Sequence, residues 1–504
     1  MWIPILQNIS LKGDNNMGKR KESVFKITSF QPNNCVTSSS IMVEVGGKKF
    51  LLDLGQIQDS KLTFPQEYHY NMQKIQSIPF KEIDVCAYTH LHLDHCSLIA
   101  LLAREDLGFN GEIITTELTA DLSKLIMEDA QQINESEVAK HNDKKHDKQK
   151  YFTYYSKQHI EDVMKQIKCY SYNQKIKIDD NITLTIKSAA HIGGAGMMYL
   201  EYIDGYKTHY LLYTGDITYG QKVDRPFTKK IIDENLNVNV LVMESTYGLK
   251  DKVIYENDNP IDFLEQVILK EVVEKNQTLW IPSFAVGRAT ALYYYLNEVF
   301  NRNEQIKKAN IPVYFCGEMM YKAHQIIGKD KYNEYYDEMW WDKKEIWQKQ
   351  PFSFLTIKKD IDHFCLNNGR KIVVSSSGMY DKGWSAYLSE SYVANKKVST
   401  CCCGYQGEGT LGYAIKNGEE YANVNGIRKK VRCNYCGTIP NLSGHATHQG
   451  LIDFVKSLNQ SKLKDIILVH GEDNAKQELK ESLEEVLPKN KNIYIIKQFE
   501  TLKF

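Results

Sequence analysis

Short apolar runs separated by turn residues dominate the first half of the chain. IMVEV and KKFLLDL lie on either side of Gly46 and Gly47, and MMYLEY and THYLLY lie on either side of another glycine-containing turn. Apolar runs joined by such turns are typical of β-hairpins. EIDVCAY, ITLTIKS and NVLVMES are further runs of this kind. The pattern predicts a β-rich first segment, in which SLIALLARE (97–105) and the polar stretch 115–168 are the predicted helices.

From about residue 260 the pattern changes to helices and strands in alternation. IDFLEQVILKEVVEKN and GRATALYYYLNEVF have helical periodicity, whereas TLWIPSF, IPVYFCG and KIVVSSSGM are short apolar runs. GLIDFVKSL, DIILVHG and AKQELKESLEEVL continue the alternation towards the end of the sequence. Such alternation is typical of α/β domains with a parallel sheet.

Length and composition fit a globular protein with more than one core. The chain has 504 residues, of which 42% are hydrophobic and 25% charged. A chain of this length exceeds one ordinary core, so we expect two domains or one domain with a large insertion. Lys plus Arg and Asp plus Glu both number 63. Any surface for nucleic acid must therefore be local, because the net charge favours no class of partner.

The sequence gives no sign of a membrane or secretory protein. No apolar run is long enough to span a bilayer, and polar residues follow the N-terminal MWIPIL without the order of a signal peptide. We therefore expect a cytoplasmic protein whose 11 cysteines are reduced.

Some cysteines and histidines have two interpretations. CNYC (Cys433 to Cys436) has the spacing of half a zinc site, but a matching second pair is missing, so buried thiols are favoured. His141 and His146 in KHNDKKHDKQK could bind a metal, but a solvated surface is favoured.

Polar residues end several of the predicted strands: Asp53, His90, His191, Asp216, Glu244 and His470. The densest cluster is YTHLHLDHC, which holds His90, His92, Asp94 and His95. Burying three imidazoles and a carboxylate without an ion would be costly. Histidine and carboxylate ligands suit zinc, and two ions with a bridging carboxylate would use the whole set.

These motifs resemble the metallo-β-lactamase superfamily. HLHLDH resembles its HxHxDH signature, and Asp53, His191 and Asp216 in YTGD match its remaining metal-centre motifs. The resemblance extends to the β-CASP nuclease branch, bacterial and archaeal relatives of the pre-mRNA 3′-end cleavage endonuclease, through Glu244 in ESTYG, His445 in SGHATH and His470 in LVHGE. It implies an α/β fold, an αββα sandwich (1–249 and 436–504) with an inserted α/β β-CASP domain (250–435).

The resemblance also implies a role for each site residue. One Zn²⁺ would be bound by His90, His92 and His191, and a second by Asp94, His95 and His470. Asp216 would bridge the two ions, and Asp53 would support a ligand or the bridging water from behind. Mn²⁺ is an alternative to zinc.

The implied reaction is hydrolysis of a phosphodiester. Two zinc ions make hydroxide available near neutral pH for in-line attack. The expected catalytic residues are Asp94, Glu244 and His445, with His445 as the acid that Glu244 polarises. Ser377, Gly378, Ser443 and Gly444 are candidate phosphate-binding residues; an ordinary turn is the equal alternative for the loop of Ser377 and Gly378.

Single-stranded RNA is the expected substrate, because β-CASP members that act on RNA tend to carry histidine at the position of His470. The basic RKKVR (428–432) is a further, weaker indication. The hypothesis is a zinc-dependent endonuclease, with 5′–3′ exonuclease activity and a homodimer left open. The alternatives are another hydrolase with this fold and a non-catalytic RNA-binding or scaffold protein.

Overall fold

The structure is a computed structural model that describes most of the chain. The described residues are 23–59, 61–143, 149–220, 225, 227–231, 233–250, 259–342, 352–404 and 406–504. The N-terminal MWIPIL segment and His146, both interpreted above from the sequence alone, lie outside these ranges.

The segment up to residue 250 is rich in strands, as predicted. Its described residues form β1 (Phe25–Ser29), β2 (Ile41–Val45), β3 (Lys48–Leu52), β4 (Val85–Ala87), β5 (Glu112–Thr115), β6 (Ile167–Cys169), β7 (Lys175–Lys177), β8 (Ile182–Ser188), β9 (Gly196–Asp204), β10 (Lys207–Tyr213) and β11 (Val240–Glu244). The helices are α1 (Phe64–Ser77), α2 (Leu93–Cys96), α3 (Glu117–Asn142) and α4 (Lys157–Gln166), with 3₁₀ turns at Phe80–Glu82, Ile99–Ala103 and Glu105–Leu107. The helix predicted over 97–105 is therefore wrong: only short 3₁₀ turns form there.

The described residues between 259 and 438 alternate between helices and strands. The strands are β12 (Thr278–Pro282), β13 (Val313–Cys316), β14 (Phe352–Leu355), β15 (Lys371–Ser375), β16 (Val398–Cys402), β17 (Tyr421–Val424), β18 (Ile427–Lys430) and β19 (Asn434–Thr438). The helices are α5 (Pro260–Val267), continued by a π-helix (Ile268–Glu274), α6 (Arg288–Arg302), α7 (Glu304–Lys308), α8 (Glu318–Ile327), α9 (Glu338–Asp342), α10 (Lys358–Cys365), α11 (Gly383–Tyr392) and α12 (Leu411–Lys416), with a 3₁₀ helix at Asp330–Tyr335.

The last segment returns to the first part of the fold. It forms α13 (His448–Ser457), β20 (Asp465–Val469), α14 (Asp473–Val486), β21 (Asn492–Ile495) and β22 (Thr501–Lys503). β20 pairs in parallel with β11, and β22 pairs antiparallel with β1. The two ends of the described chain therefore build the same two sheets.

Two seven-stranded sheets pack face to face. Their orders are β22-β1-β2-β3-β4-β5-β6 and β21-β20-β11-β10-β9-β8-β7. Phe50 and Leu52 of the first sheet share a buried cluster with Leu211 and Val240 of the second. Leu51, between Phe50 and Leu52, joins a different cluster, as expected for side chains that alternate between the two faces of a strand.

Helices cover the outer face of each sheet. On the first sheet, Leu51 packs in one cluster with Ile75 of α1 and Val163 of α4. On the second, Leu241 shares a cluster with Leu451 of α13 and Leu479 of α14. These layers confirm the expected αββα sandwich.

The segment between β11 and β20 has its own parallel sheet, in the order β14-β13-β15-β12-β16-β19. All five of its strand pairings are parallel. Leu292 of α6 packs on one face and Leu388 of α11 on the other. The predicted domain boundary at 435/436 falls within β19, and the division into domains stays a prediction.

Three further observations concern the cysteines, His141 and the expectation about membranes. Cys433 is buried and Cys436 partly so, and the described residues contain no metal-capable group of three that includes a cysteine. His141 packs against the ring of Phe64, with 4.7 Å between ring centroids. In the described ranges, no helix is both long and apolar enough to cross a membrane.

Candidate metal centre

Seven side chains that could bind metals converge at one edge of the sandwich. Each follows the carboxyl end of a strand. These ends lie at the same edge because β3 and β4 run parallel in one sheet and β10, β11 and β20 run parallel in the other. The HLHLDH turn follows β4 and continues into α2, His191 follows β8, Asp216 follows β10, and His470 follows β20. Asp53 and His470 have positive φ angles of 60° and 49°. Such backbone strain is common in functional sites.

The first group consists of His90, His92, His191 and Asp216, whose donor atoms lie within 4.8 Å of one another. His92 Nδ1 lies 3.0 Å from Nε2 of both His90 and His191. Asp216 Oδ2 lies 3.5 Å from His90 Nε2 and 3.6 Å from His191 Nε2. Three ring nitrogens and one carboxylate oxygen thus face a common point.

The second group consists of Asp94, His95 and His470. His470 Nε2 lies 3.2 Å from both His95 Nε2 and Asp94 Oδ2. Asp216 contributes its other oxygen here, because Oδ1 lies 3.3 Å from His95 Nε2 and 3.4 Å from His470 Nδ1. Asp216 therefore stands between the two groups, with one oxygen directed to each.

The separations fit tetrahedral zinc. Two ligand atoms at a zinc–nitrogen distance of about 2.0–2.1 Å lie about 3.3–3.4 Å apart. The nitrogen–nitrogen and nitrogen–oxygen distances within the groups are mostly 3.0 to 3.6 Å. Asp216 Oδ1 is also buried without a hydrogen bond from any described residue. Buried polar atoms are rarely left without a partner, so a cation is the natural one.

In the first group, the protonation states of the histidines also suit metal binding. Burial lowers the pKa of His92 to about 4 and holds the pKa of His90 and His191 well below the usual value. Neutral imidazole keeps a nitrogen lone pair for a metal. Burial would raise the pKa of Asp216, but the charges of His470 and His95 hold it well below its usual range.

Asp53 supports the HLHLDH turn from below. The Thr89 amide donates to Asp53 Oδ1 at 2.6 Å, and the Tyr213 hydroxyl donates to Oδ2 at 2.8 Å. His95 Nδ1 lies 2.7 Å from Oδ2 and donates to it. This contact holds His95 with Nε2 directed at His470.

Glu244 and His445 form a second functional unit beside the metal groups. His445 Nδ1 lies 2.8 and 3.0 Å from the two oxygens of Glu244, which is fully buried. Burial would lower the pKa of His445, but Glu244 and Asp216 raise it above the usual value. His445 Nε2 faces the centre, 3.9 Å from Asp216 Oδ2. The pair can therefore supply a proton at the centre.

The candidate phosphate-binding residues fall into two places. The Gly444 carbonyl accepts a hydrogen bond from His191 Nδ1 at 2.6 Å, and the Ser443 hydroxyl donates to the Tyr247 hydroxyl at 3.0 Å. Gly444 therefore contacts the metal centre directly, and Ser443 is its neighbour in the chain. Ser377 and Gly378 lie in the inserted segment after β15, and within the described ranges no hydrogen bond joins them to any of the seven metal-capable side chains. Phosphate binding by all four stays a prediction.

Sequence reasoning missed several supporting residues. Thr89 bonds Asp53 and also lies 3.0 Å from His90 Nδ1, and Thr246 Oγ1 lies 3.1 Å from His470 Nδ1. Buried Arg225 donates to the Ser443 carbonyl at 3.0 Å. Thr89 and Thr246 are adjacent in sequence to the motif residues His90 and Ser245. A hydroxyl residue next to a motif residue was therefore the sequence signal that could have identified them. Nothing in the sequence pairs Arg225 with residue 443.

Family comparisons cover the inserted segment and the return to the sandwich. The family model of the Beta-Casp domain matches residues 289–415. The model of the Zn-dependent metallo-hydrolase RNA specificity domain matches residues 428–495, which include His445 and His470.

Several curated proteins are similar over nearly the whole chain. Integrator complex subunit 11 of Danio rerio is 27% identical over 91% of this chain and 71% of its own length. Cleavage and polyadenylation specificity factor 73 of Drosophila melanogaster is 26% identical over 94% of this chain and 63% of its own. Transcription termination factor FttA of Methanocaldococcus jannaschii is 28% identical over 87% of this chain and 66% of its own. The chain thus spans roughly two thirds of each relative.

Proposed function

Because the chain belongs to the β-CASP branch of the metallo-β-lactamase superfamily, we propose that it is a zinc-dependent ribonuclease acting on single-stranded RNA. The observation that carries this proposal is Asp216, whose two oxygens face two separate groups of metal-capable side chains. A paired-metal centre of this kind suits phosphodiester hydrolysis.

The side chains are proposed to hold two ions. His90, His92 and His191 would hold one, Asp94, His95 and His470 the other, and Asp216 both. Two bound zinc ions would lower the pKa of water and neutralise the charge of a phosphodiester. Asp53 orients His95 for this task.

His445 is the proposed general acid. Its Nε2 faces the centre, while Glu244 holds its Nδ1 and favours the protonated ring. A protonated imidazole can donate to the ribose oxygen that leaves when the phosphodiester breaks. The buried Glu244 also accepts from the Ile217 amide at 2.8 Å, which fixes the carboxylate. Glu244 is therefore a positioning residue. It also forms a third metal-capable group with Asp216 and His470, and the positioning role explains this group better than a third ion does.

RNA is favoured over other phosphodiesters by the comparisons. The family that matches the part with His445 and His470 is described as an RNA specificity domain. The names of two relatives refer to cleavage and polyadenylation and to transcription termination. Ser377, Gly378, Ser443 and Gly444 are proposed to contact the phosphates of the bound strand.

The test is digestion of end-labelled single-stranded RNA carrying either a 5′-monophosphate or a 5′-triphosphate. We expect the purified protein to produce internal fragments and to contain about two zinc ions per chain by elemental analysis. The double variant Asp94→Asn, His95→Ala should lose cleavage and at least the zinc ion of the second group. His141→Ala is the matched control, because His141 lies outside the cluster, against Phe64.

Cleavage that persists in the double variant would overturn the proposal, since it would come from another enzyme or another site. Fragments released one nucleotide at a time from the 5′-monophosphate substrate would identify 5′–3′ exonuclease activity. The same set of fragments from the 5′-monophosphate and the 5′-triphosphate RNA would identify internal cutting alone.

A further inference from the structure

The strand order of the inserted sheet predicts a crevice that the metal centre does not use. After β12 the chain runs to β13, towards one edge of the sheet. After β15 it runs to β16, towards the other edge. α6, which follows β12, and α11, which follows β15, pack on opposite faces of the sheet. Adjacent parallel strands with connections in opposite directions open a crevice at their carboxyl ends, where α/β proteins commonly bind ligands.

Phe284 lies in this crevice, two residues beyond the end of β12. Its side chain is 39% exposed, whereas Val286 in the same loop is 6% exposed. The guanidinium of Arg288 lies over the ring, 4.6 Å from its centroid. No carboxylate in the described ranges forms an ion pair with Arg288. An exposed ring with an unneutralised cation above it is suited to a ligand that is both flat and anionic.

Two glycines keep the neighbourhood of this pair free of side chains. A Cβ on Gly378 would lie 3.0 Å from Cδ2 and Cε2 of Phe284. A Cβ on Gly404 would lie 2.9 Å from the Arg288 guanidinium. Gly378 follows β15 and Gly404 follows β16, so the loops after three adjacent strands meet at the Phe284–Arg288 pair.

The crevice adjoins the metal centre. The loop of Phe284 also contains Gly287, and a Cβ there would lie 3.0 Å from Ile192 Cγ2. Ile192 directly follows His191, whose Nε2 faces the first metal group. A strand bound at the centre would therefore pass the Phe284–Arg288 pair within a few nucleotides.

We propose that Phe284 and Arg288 form a nucleobase-binding subsite, in which one base of the RNA strand stacks on the aromatic ring. Arg288 braces the ring and offsets the charge of the adjoining phosphate. Stacking on an aromatic face accepts any of the four bases, so this subsite holds the strand without selecting a sequence. The inference rests on the proposed function, because it names how that substrate is held.

The first test compares Phe284→Ala with the protein itself on single-stranded RNA and on bis(p-nitrophenyl) phosphate, a diester without bases. We expect KM for RNA to rise by about 5- to 150-fold, as for the loss of one stacked base, with the small diester hydrolysed unchanged. Phe284→Trp should keep the KM of the original. Phe152→Ala is the matched control, because Phe152 is also exposed and also has a cation over its ring, Lys150 at 5.6 Å.

The second test places a single abasic nucleotide at successive positions around the cleavage site. One position should raise KM in the original protein but have no effect in Phe284→Ala, because both changes remove the same stack. Equal KM values for the original and Phe284→Ala, or additive effects at every abasic position, would overturn the subsite. If the unaltered protein hydrolyses neither substrate, the result would instead overturn the proposed function.

Discussion

At the scale of single residues, the centre depends on buried polar groups that fix one another. The sequence predicted the seven metal-capable side chains and the Glu244–His445 pair, the HLHLDH turn from its density of histidine and carboxylate and the pair from its resemblance to β-CASP motifs. It could not identify Lys74, which is fully buried beneath the HLHLDH turn and donates to the Ser38 hydroxyl and the Gly55 carbonyl. A lone lysine in an amphipathic helix carries no signal of a partner far along the chain.

His445 gives a prediction about the leaving group. His445→Ala should slow RNA cleavage by about 10²–10⁴-fold, because the ribose oxygen must then leave without a proton. Bis(p-nitrophenyl) phosphate should lose much less, since nitrophenolate leaves readily without protonation. Both rates are measured at constant zinc content. An equal loss on the two substrates would contradict the role as general acid.

Lys74 gives a prediction about stability and pH. Burial lowers the pKa of Lys74 to about 7, below the value of about 10.4 for an unfolded lysine. Between these values the unfolded chain holds the proton and the folded one does not, so the free energy of unfolding rises with pH. Its contribution should grow by up to about 1.4 kcal/mol per pH unit from pH 7 to 10.

The measurement is denaturant unfolding of the protein and of Lys74→Met at pH 7, 8 and 9. The difference in unfolding free energy should grow with pH in favour of lysine. Lys140→Met, at an exposed position of α3, should show no such trend. A difference independent of pH would mean that Lys74 is charged in the folded state.

At the scale of elements, the apolar patterns predicted most strands. They failed where a run is buried on all sides, because such a run has no alternation of apolar and polar residues. Residues 97–105 include IALL, all buried, and this run forms a 3₁₀ turn although it has the composition of a helix. The turn is instead determined by its neighbours, since the Leu98 amide donates to the Leu54 carbonyl at 3.0 Å. Such a contact between separate loops is invisible to periodicity.

The close approach of the loops after β3 and β4 leads to a third prediction. A Cβ on Gly55 would lie 1.8 Å from the Asp94 carbonyl oxygen, so Gly55→Ala must displace the backbone of the metal turn. We expect a several-fold loss of zinc and of RNA cleavage. Gly328→Ala, where the nearest atom would be 3.2 Å away, should keep both. Full zinc content in Gly55→Ala would show that the turn tolerates the shift.

At the scale of the whole molecule, the inserted segment and the sandwich meet across the site. The alternation of helices and strands predicted a parallel sheet in the insert, but not its strand order or its contacts with the sandwich. The Tyr336 ring lies against Gly193, where a Cβ would be 2.6 Å from the hydroxyl oxygen. On the surface, Lys61 of the sandwich lies 3.8 Å from Glu408 of the insert. Neither contact has a local sequence signature.

This surface pair allows a test of domain movement. Carbodiimide joins amines to carboxylates in contact, and Lys61 and Glu408 are 68% and 71% exposed. Coupling them should slow RNA cleavage, because the strand could no longer enter between the two parts, while bis(p-nitrophenyl) phosphate still reacts. Glu408→Gln removes the coupling site and should protect activity. Unchanged RNA cleavage in the coupled protein would show that entry needs no separation.

The order of the ligands along the chain has a consequence for synthesis in the cell. His470 and the β20 and β22 strands are made after the whole inserted segment, yet they complete both sheets. A ribosome would have to translate the whole inserted segment before the nascent polypeptide could assemble its second metal group. Prematurely terminated products should therefore be inert towards the messenger RNAs that surround them.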